Sequence, residues 1–227
     1  MRKNKIQAIK LRKQGLSYNE INRKLGISKS TLSYWLSKLE ISKEAKNRIS
    51  ARVYEGSIKG LIRRNKNQTI LAKKRAEEIR GLAKKEVAGL IKNKLFLTGI
   101  SLYWAEGYKK GAYGSKWKAV DFANSDPELI RIMMEFFRKI CKVEEKKIKI
   151  QLIAHKNIDI NKVVAYWSKL TKIPKNQFIK TCCSVSKSSK NKRNKNSLPN
   201  GTIHIRINDV KLFFRIIGWI DGLKINI

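Results

Sequence analysis

An uncharged run of eleven residues, Leu95 to Ala105, interrupts a chain that is otherwise dense in lysine and arginine. It ends on Glu106 and Gly107. A helix needs roughly 20 apolar residues to span a bilayer, so this run predicts a buried helix of a water-soluble fold. Ser101 and Ala105 are small and four residues apart, which puts them on one helix face. Two such helices can approach closely there, and Glu106 follows at the end of the helix.

The string GISLYWAEG resembles a divergent LAGLIDADG motif, the core helix of homing-endonuclease-like proteins. The resemblance gives Ser101 and Ala105 the helix-contact positions and Glu106 the acidic position that binds the catalytic metal in active members. Trp104 stands where the family often has Asp, and Gly99 stands where it has Leu. One motif per chain implies a homodimer that forms through the Ser101/Ala105 faces.

The charge balance points to a polyanionic partner. The 227 residues include 52 Lys and Arg against 17 Asp and Glu, a formal net charge of +35. Cationic side chains release counterions when they contact phosphates, which favours binding to nucleic acid. A genome-wide bias toward lysine explains part of this composition, but it would not deplete acidic residues so far. We therefore expect nucleic acid as the partner, and the motifs make double-stranded DNA the expected form.

The first 42 residues have the spacing of a helix-turn-helix domain. Residues 2–14 suit a short amphipathic helix with Ile6, Ile9 and Leu11 among basic residues. Ser17 and Glu20 form a capping-box pattern before a second helix, Gly26 suits the tight turn, and Ser28 caps a third helix that ends near Leu39. The apolar side chains expected to pack between the helices are Ile21, Leu25, Ile27, Leu32 and Trp35.

This region resembles the helix-turn-helix of resolvases and transposases, although Asn22 stands where most members have Ala. The resemblance makes Lys29 to Lys38 the recognition helix in the major groove. The side chains expected to face DNA are Ser28, Lys29, Ser30, Ser33, Tyr34, Ser37 and Lys38. The alternative is a small helical bundle that binds another protein.

Residues 43–94 predict a basic connector of one or two helices. Four glycines in this stretch weaken the prediction of one continuous helix. Arg63 and Arg64 are its candidate phosphate contacts. The alternative is a solvated connector without contacts to DNA.

Residues 95–227 predict an α+β domain in the order helix, two strands, helix, strand, extra helix, two-stranded hairpin and helix. This order resembles the αββαββα saddle of the LAGLIDADG family with one inserted helix. The outer face of the sheet then supplies further candidate DNA contacts, namely Lys118, Lys147, Lys149, Gln151, Lys180, His204 and Arg206. The long hairpin loop adds Lys192 and Arg193. The closing IIGWIDG echoes the motif, but we interpret it as a core-packing helix.

Two functions fit this organisation. The first is a sequence-specific transcription regulator that needs no cofactor, which an added helix-turn-helix favours. The alternative is a Mg²⁺-dependent homing-type endonuclease, in which Glu106 of each protomer holds the metal while Lys109 or Lys110 assists. A third class, RNA binding, fits poorly because RNA duplexes lack an accessible major groove.

Cysteine content and termini favour a cytoplasmic, nucleoid-associated protein. Cys141, Cys182 and Cys183 are an odd number without metal-ligand spacing, so we expect reduced thiols. The basic N-terminus has no apolar signal core, and we expect no membrane segment.

Overall fold

Two compact units make up the chain, Met1–Ala72 and Lys73–Ile227. The computed structural model describes residues 2–154, 158–182 and 198–226. The predicted three-helix domain lies in the first unit, and the predicted α+β domain lies in the second. None of the helices in the described part of the chain combines the length and apolar character needed to cross a membrane.

Three short helices form the N-terminal domain: α1 (Arg2–Lys13), α2 (Tyr18–Leu25) and α3 (Lys29–Leu36). Their shared core contains Ala8, Leu16, Ile21, Leu32 and Leu36. Leu25, Ile27 and Trp35 pack against this core, as predicted. Ile6 does not, because its side chain is 66% exposed. The buried position on α1 belongs instead to Ala8, whose small side chain lets the helices approach.

A single helix, α4 (Lys43–Leu90), fills most of the predicted connector. Its start packs on the N-terminal domain through Ala45, which is buried beside Gly15. Every residue from Ser50 to Ala72 is exposed, and we call this stretch the bare segment. The packed segment, residues 76–90, contributes Ala83 and Val87 to the core of the second unit.

The second unit places a four-stranded sheet among helices. Its elements are α5 (Lys94–Glu106), β1 (Val120–Asn124), α6 (Pro127–Glu135), β2 (Ile148–Ile153), α7 (Ile160–Thr171), β3 (Phe178–Cys182), β4 (Thr202–Ile207) and α8 (Val210–Asn226). Asp126 caps α6, since its Oδ1 accepts from the N–H groups of Glu128 and Leu129. Asp209 caps α8 through the N–H of Leu212 at 2.9 Å.

The strand order is β1-β4-β2-β3. β4 pairs antiparallel with both β1 and β2, whereas β3 pairs in parallel with β2. Alternation on these strands sends one row of side chains into the core, namely Val120, Phe122, Ile148, Ile150, Leu152, Ile203, Ile205 and Ile207.

Two details of the predicted αββαββα order are wrong. β3 and β4 do not form a hairpin, because β2 lies between them in the sheet. Alternation alone sets which face a strand buries and leaves its neighbour undetermined. Between α5 and α6 the described chain has one strand, β1, and the expected second strand is reduced to a bridge between Gly107 and Phe122.

Close packing of α8 on the packed segment explains the IIGWIDG string. A Cβ at Gly218 would lie 2.7 Å from the Cβ of Ala83, so only glycine fits at this crossing. Asp221 forms an ion pair with Arg80 of α4. The predicted core-packing role of this helix is confirmed, with Trp219 fully buried.

Candidate nucleic-acid interface

Local capping fixes where the helices of the N-terminal domain begin and end. The N–H of Ser17 donates to Oε2 of Glu20 at 2.8 Å, and the N–H of Glu20 donates to Oγ of Ser17 at 3.3 Å. This is the capping box that the sequence predicts. Gly26 ends α2 with a φ of 69°, a left-handed conformation that glycine adopts without steric cost. The turn before α3 is therefore set by local sequence.

Asn22 ties the turn to α2. Its Nδ2 donates a hydrogen bond of 2.7 Å to the carbonyl oxygen of Ile27, five residues later. An alanine at this position could not make that bond. The departure of this sequence from the usual small residue thus has a structural role, because it holds the start of α3 in place.

The outward face of α3 is free of contacts with the domain core. All seven side chains predicted to face DNA are exposed, and Tyr34 is 85% exposed. Ser30, Ser33, Tyr34 and Ser37 are spaced three and four apart, so they share one helix face. Leu32 and Leu36 anchor the opposite face in the core. The result is a supported helix with a polar, aromatic and unobstructed surface.

Two of the predicted contact residues already have partners. Oγ of Ser28 caps α3 by accepting from the N–H of Thr31 at 3.3 Å. It also lies 2.9 Å from Oγ of Ser30 and 2.8 Å from Oγ1 of Thr31. Of the hydroxyls on the exposed face, those of Ser33, Tyr34 and Ser37 are therefore better placed for contacts with a partner.

The first turns of α4 contact the N-terminal domain. Nη1 of Arg48 donates to the carbonyl oxygen of Gln14 at 2.8 Å, and Arg52 forms an ion pair with Glu20. These contacts join α4 to both α1 and α2. Arg63 and Arg64, the predicted phosphate contacts on α4, are exposed.

The outer face of the sheet carries an acid that sequence reasoning missed. Asp121 is only 7% exposed at its side chain, and it accepts hydrogen bonds from Nδ1 of His204 at 2.7 Å and Nε of Arg206 at 2.6 Å. The Arg206 guanidinium also lies 5.6 Å from the ring centroid of Trp117. Two of the predicted DNA contacts are thus held by the protein itself. The signal was present, since Asp121 alternates with buried Val120 and Phe122.

The other predicted contacts on this unit lie in different settings. Lys149 and Gln151 are half-buried beside Arg206 and His204 in the β2–β4 register. Nζ of Lys118 donates to the carbonyl oxygen of Ser115, before β1 begins. Lys147 precedes β2 and forms an ion pair with Glu144. Lys180 is exposed on β3, next to Ile179, which is the register partner of Gln151. Lys192 and Arg193 lie outside the described residues.

The predicted buried helix, α5, is buried on one face only. Phe96, Gly99, Ile100 and Tyr103 enter the core, whereas Ser101 and Ala105 are exposed together with Leu97 and Trp104. On this face Nζ of Lys224 lies 5.4 Å from the ring centroid of Trp104, while Ser101 and Ala105 stay exposed among the described residues. Pairing of two chains through Ser101 and Ala105 stays a prediction.

Glu106 is exposed at the end of α5, beside a lysine that is already engaged. Nζ of Lys109 donates to the carbonyl oxygens of Trp104 at 2.7 Å and Gly107 at 2.8 Å, and so caps the helix. Partial burial lowers the pKa of the Lys109 ammonium, while the Glu106 carboxylate acts in the opposite direction. Lys110 is exposed. Gly107 has extended backbone, and its constraint is the Tyr103 ring, which leaves no room for a Cβ.

Within residues 2–154, 158–182 and 198–226, no group of three or more His, Cys, Asp or Glu side chains is arranged to hold a metal ion. Mg²⁺ is commonly bound by one or two carboxylates together with substrate phosphates. Glu106 supplies one such carboxylate, so a Mg²⁺ ion held there would take its other ligands from DNA phosphates and water.

Comparison with known proteins bears on the N-terminal domain. Residues 2–46 match a protein-family model described as a homeodomain-like domain. No curated protein and no solved structure gives a significant match to the chain. The match ends before the α+β unit, so the LAGLIDADG resemblance of residues 95–227 stays a prediction. The N-terminal segment is similar to homeodomain-like helix-turn-helix domains, and this similarity indicates DNA binding.

Proposed function

We propose that this protein is a sequence-specific regulator of transcription that places α3 in the major groove of double-stranded DNA. The observation that carries the proposal is the exposed face of α3. The cap at Gly26 that ends α2, the cap at Ser28 that begins α3 and the domain core hold this helix in place. The helix lies in a segment that is similar to homeodomain-like domains. A net charge of +35 supplies the sequence-independent attraction to phosphates.

The roles of the side chains on α3 follow from their chemistry and position. Lys29 lies in the first turn of α3 and is exposed, which suits a contact to a phosphate. Ser33, Tyr34 and Ser37 project from the middle and end of the same face, where hydroxyls can bond to base edges and the Tyr34 ring can contact a thymine methyl group. Phosphate contacts fix the position of the domain, and base contacts give it sequence preference.

Selection of bound duplexes from a random pool tests this division of roles. Wild type should enrich a defined motif, and S33A combined with Y34A and S37A should remove that motif while retaining non-specific binding. Lys29→Ala is the matched control on the same helix. It should weaken binding to all sequences equally and reduce the slope of log K against log salt by about 1. Unchanged sequence preference in the triple variant would reject α3 as the reading helix.

Competition with structured RNA separates DNA reading from general polyanion binding. A major-groove helix requires duplex DNA, because the major groove of an RNA helix is too narrow and deep for side chains to read. Equal displacement of the selected duplex by unrelated DNA and by RNA at about 0.2 M salt would show charge-driven binding only.

A Mg²⁺-dependent endonuclease is the second candidate, and the exposed Glu106 at the end of α5 favours it. Nicking of a supercoiled plasmid that carries the protein's own genomic neighbourhood, with and without Mg²⁺, tests it. Glu106→Ala should abolish Mg²⁺-dependent cleavage and leave binding intact, whereas the control Glu128→Ala, another exposed acid, should cut normally. Retardation of the DNA without cleavage by wild type would favour the regulator.

A further inference from the structure

No residue of the bare segment of α4 is buried against the rest of the described chain, although Arg52 at its start forms an ion pair with Glu20. From Ser50 to Ala72 every residue is exposed, including Tyr54 at 69% and Leu61 at 56%. Isolated helices are marginal in water, and most helical stability in proteins comes from packing of an apolar face. Gly56 and Gly60 each lower the stability of this helix relative to alanine. A long helix with exposed apolar side chains and two internal glycines therefore calls for an external partner.

The spacing of the bare segment indicates what kind of partner fits. One line of side chains repeats with alternating steps of three and four residues, the pattern of a helix that packs along another helix. We call this line the α4 seam: Ala51, Tyr54, Ile58, Leu61, Asn65, Gln68 and Ala72.

The centre of the α4 seam has the residue types of a two-stranded coiled coil. Counting Ala51 as heptad position a places Ile58 and Asn65 at a and Leu61 at d. A β-branched residue at a with leucine at d favours two parallel strands, and one asparagine at a fixes register. In the antiparallel registers that overlap most of the seam, Asn65 would face Leu61 or Tyr54 instead of a second asparagine, so the paired amides that fix a parallel register would be lost.

The distribution of charge allows two copies of this segment to pair despite the basic composition. Four cations lie on the side away from the seam, at heptad positions b and f: Arg52, Lys59, Arg63 and Lys66. The positions that flank the seam, e and g, carry one cation, Arg64, and one anion, Glu55. The other residues at these positions are uncharged, namely Ser57, Ile62, Thr69 and Leu71. Pairing therefore places no opposed row of like charges across the seam, and outer cations such as Arg63 and Lys66 stay exposed.

We propose that the α4 seam pairs, in parallel and in register, with the α4 seam of a second copy of this chain. In this arrangement Ile58, Leu61 and Asn65 each meet their own equivalent, and Ile62 covers the edge. The contact is separate from the pairing predicted for Ser101 and Ala105 on α5. DNA reading by α3 does not depend on it, so either proposal can fail alone.

Molar mass in solution tests the pairing on the full chain without DNA. Light scattering or sedimentation at about 0.5 M salt suppresses repulsion between these basic chains, because the screening length falls to roughly 4 Å. Wild type should have twice the 26.2 kDa of one chain. I58K combined with L61K should have the mass of one chain at the same concentration.

A matched variant separates the seam from added charge. Val53 and Ile70 are apolar and exposed, at 64% and 55%, and they lie off the seam on the same segment. V53K combined with I70K adds the same two charges and should leave the doubled mass unchanged. Monomeric wild type, or equal loss of the doubled mass in both variants, would overturn the proposal.

Two further arms test which helices meet and in which direction. S101E combined with A105E charges the exposed face of α5; if this variant alone is monomeric, the α4 seam is not the contact. Leu61→Cys should form a disulfide-linked dimer on oxidation, since equivalent d positions meet only in a parallel pair, whereas Arg63→Cys on the outer side should not. Absence of cross-linking in Leu61→Cys would rule out the parallel register.

Discussion

The bare and packed segments of α4 have similar apolar spacing but opposite environments. In the packed segment, Val87 is fully buried and Ala83 is 1% exposed against the core of the second unit. In the bare segment, Ile58 and Leu61 hold equivalent positions on a helix face and remain exposed. The difference shows that periodicity predicts which face of a helix will be covered, whereas the covering surface comes from the rest of the fold or from another chain.

The largest expected effect is at the crossing of α8 with the packed segment. Gly218→Val places a branched side chain where even a Cβ would lie 2.7 Å from the Cβ of Ala83. We expect a loss of about 3 kcal/mol in the free energy of unfolding of this unit, because overpacking forces helices apart. Hydrogen exchange of the slowest amides in α8 measures it. Unchanged exchange would mean that the two helices do not cross so closely.

Val87→Ala probes the core contact of the packed segment. Removing two methyl groups from a fully buried side chain should cost about 2 kcal/mol. The same exchange measurement applies, and it should be independent of protein concentration. Leu61→Ala is the control on the bare segment, and its effect on melting temperature should grow as the protein is concentrated. If the loss of stability were independent of protein concentration in both variants, the two segments would not differ in how they are covered.

Glu86→Gln tests the polar contacts of the packed segment. Oε2 of Glu86 accepts from Nε1 of Trp219 at 2.8 Å and from Nε of Arg215 at 3.0 Å. An amide oxygen can keep the bond to the buried indole but loses the charge that attracts the half-exposed arginine. We expect a loss of about 1 kcal/mol in urea unfolding at low salt and a smaller loss at high salt. A loss that does not change with salt would contradict an electrostatic role.

Gly60→Ala should give the smallest change in stability, and this change should be a gain. Beyond the chain neighbours and the backbone of the helix itself, no atom of the described residues lies within 4 Å of a Cβ built at Gly60, so alanine fits without strain. It should raise the helical content and stabilise the bare segment by about 0.5–1 kcal/mol. Far-ultraviolet circular dichroism at low protein concentration measures this. A decrease in helicity would show that a partner approaches the backbone at this glycine.

Much of the N-terminal domain could be predicted because its signals are local. Ser17, Glu20 and Gly26 act within a few residues of their partners, so the caps and the turn follow from sequence. The role of Asn22 could not be predicted, since its partner is a carbonyl oxygen in the turn. Ala8 rather than Ile6 fills the core because the crossing of α1 with its neighbours selects size as well as hydrophobicity.

The sheet was harder to predict, and its outer face shows why. Alternation alone predicts that His204 and Arg206 point outward, but it says nothing of the neighbouring strand. β1 lies next to β4, and Asp121 therefore reaches both side chains. Lys149 and Gln151 lie in the adjacent row, and their predicted contact with DNA stays a prediction.

Local signals in the sequence suffice to predict the helix-turn-helix, the excess of positive charge and the positions of most helices, since capping, periodicity and net charge act locally or simply add. The strand order β1-β4-β2-β3, the pairing of Asp121 with His204 and Arg206, and the packing of residues 76–90 of α4 arise from tertiary structure. These features depend on contacts between residues far apart in the chain, and the energy of such contacts exists only once the folded geometry brings them together.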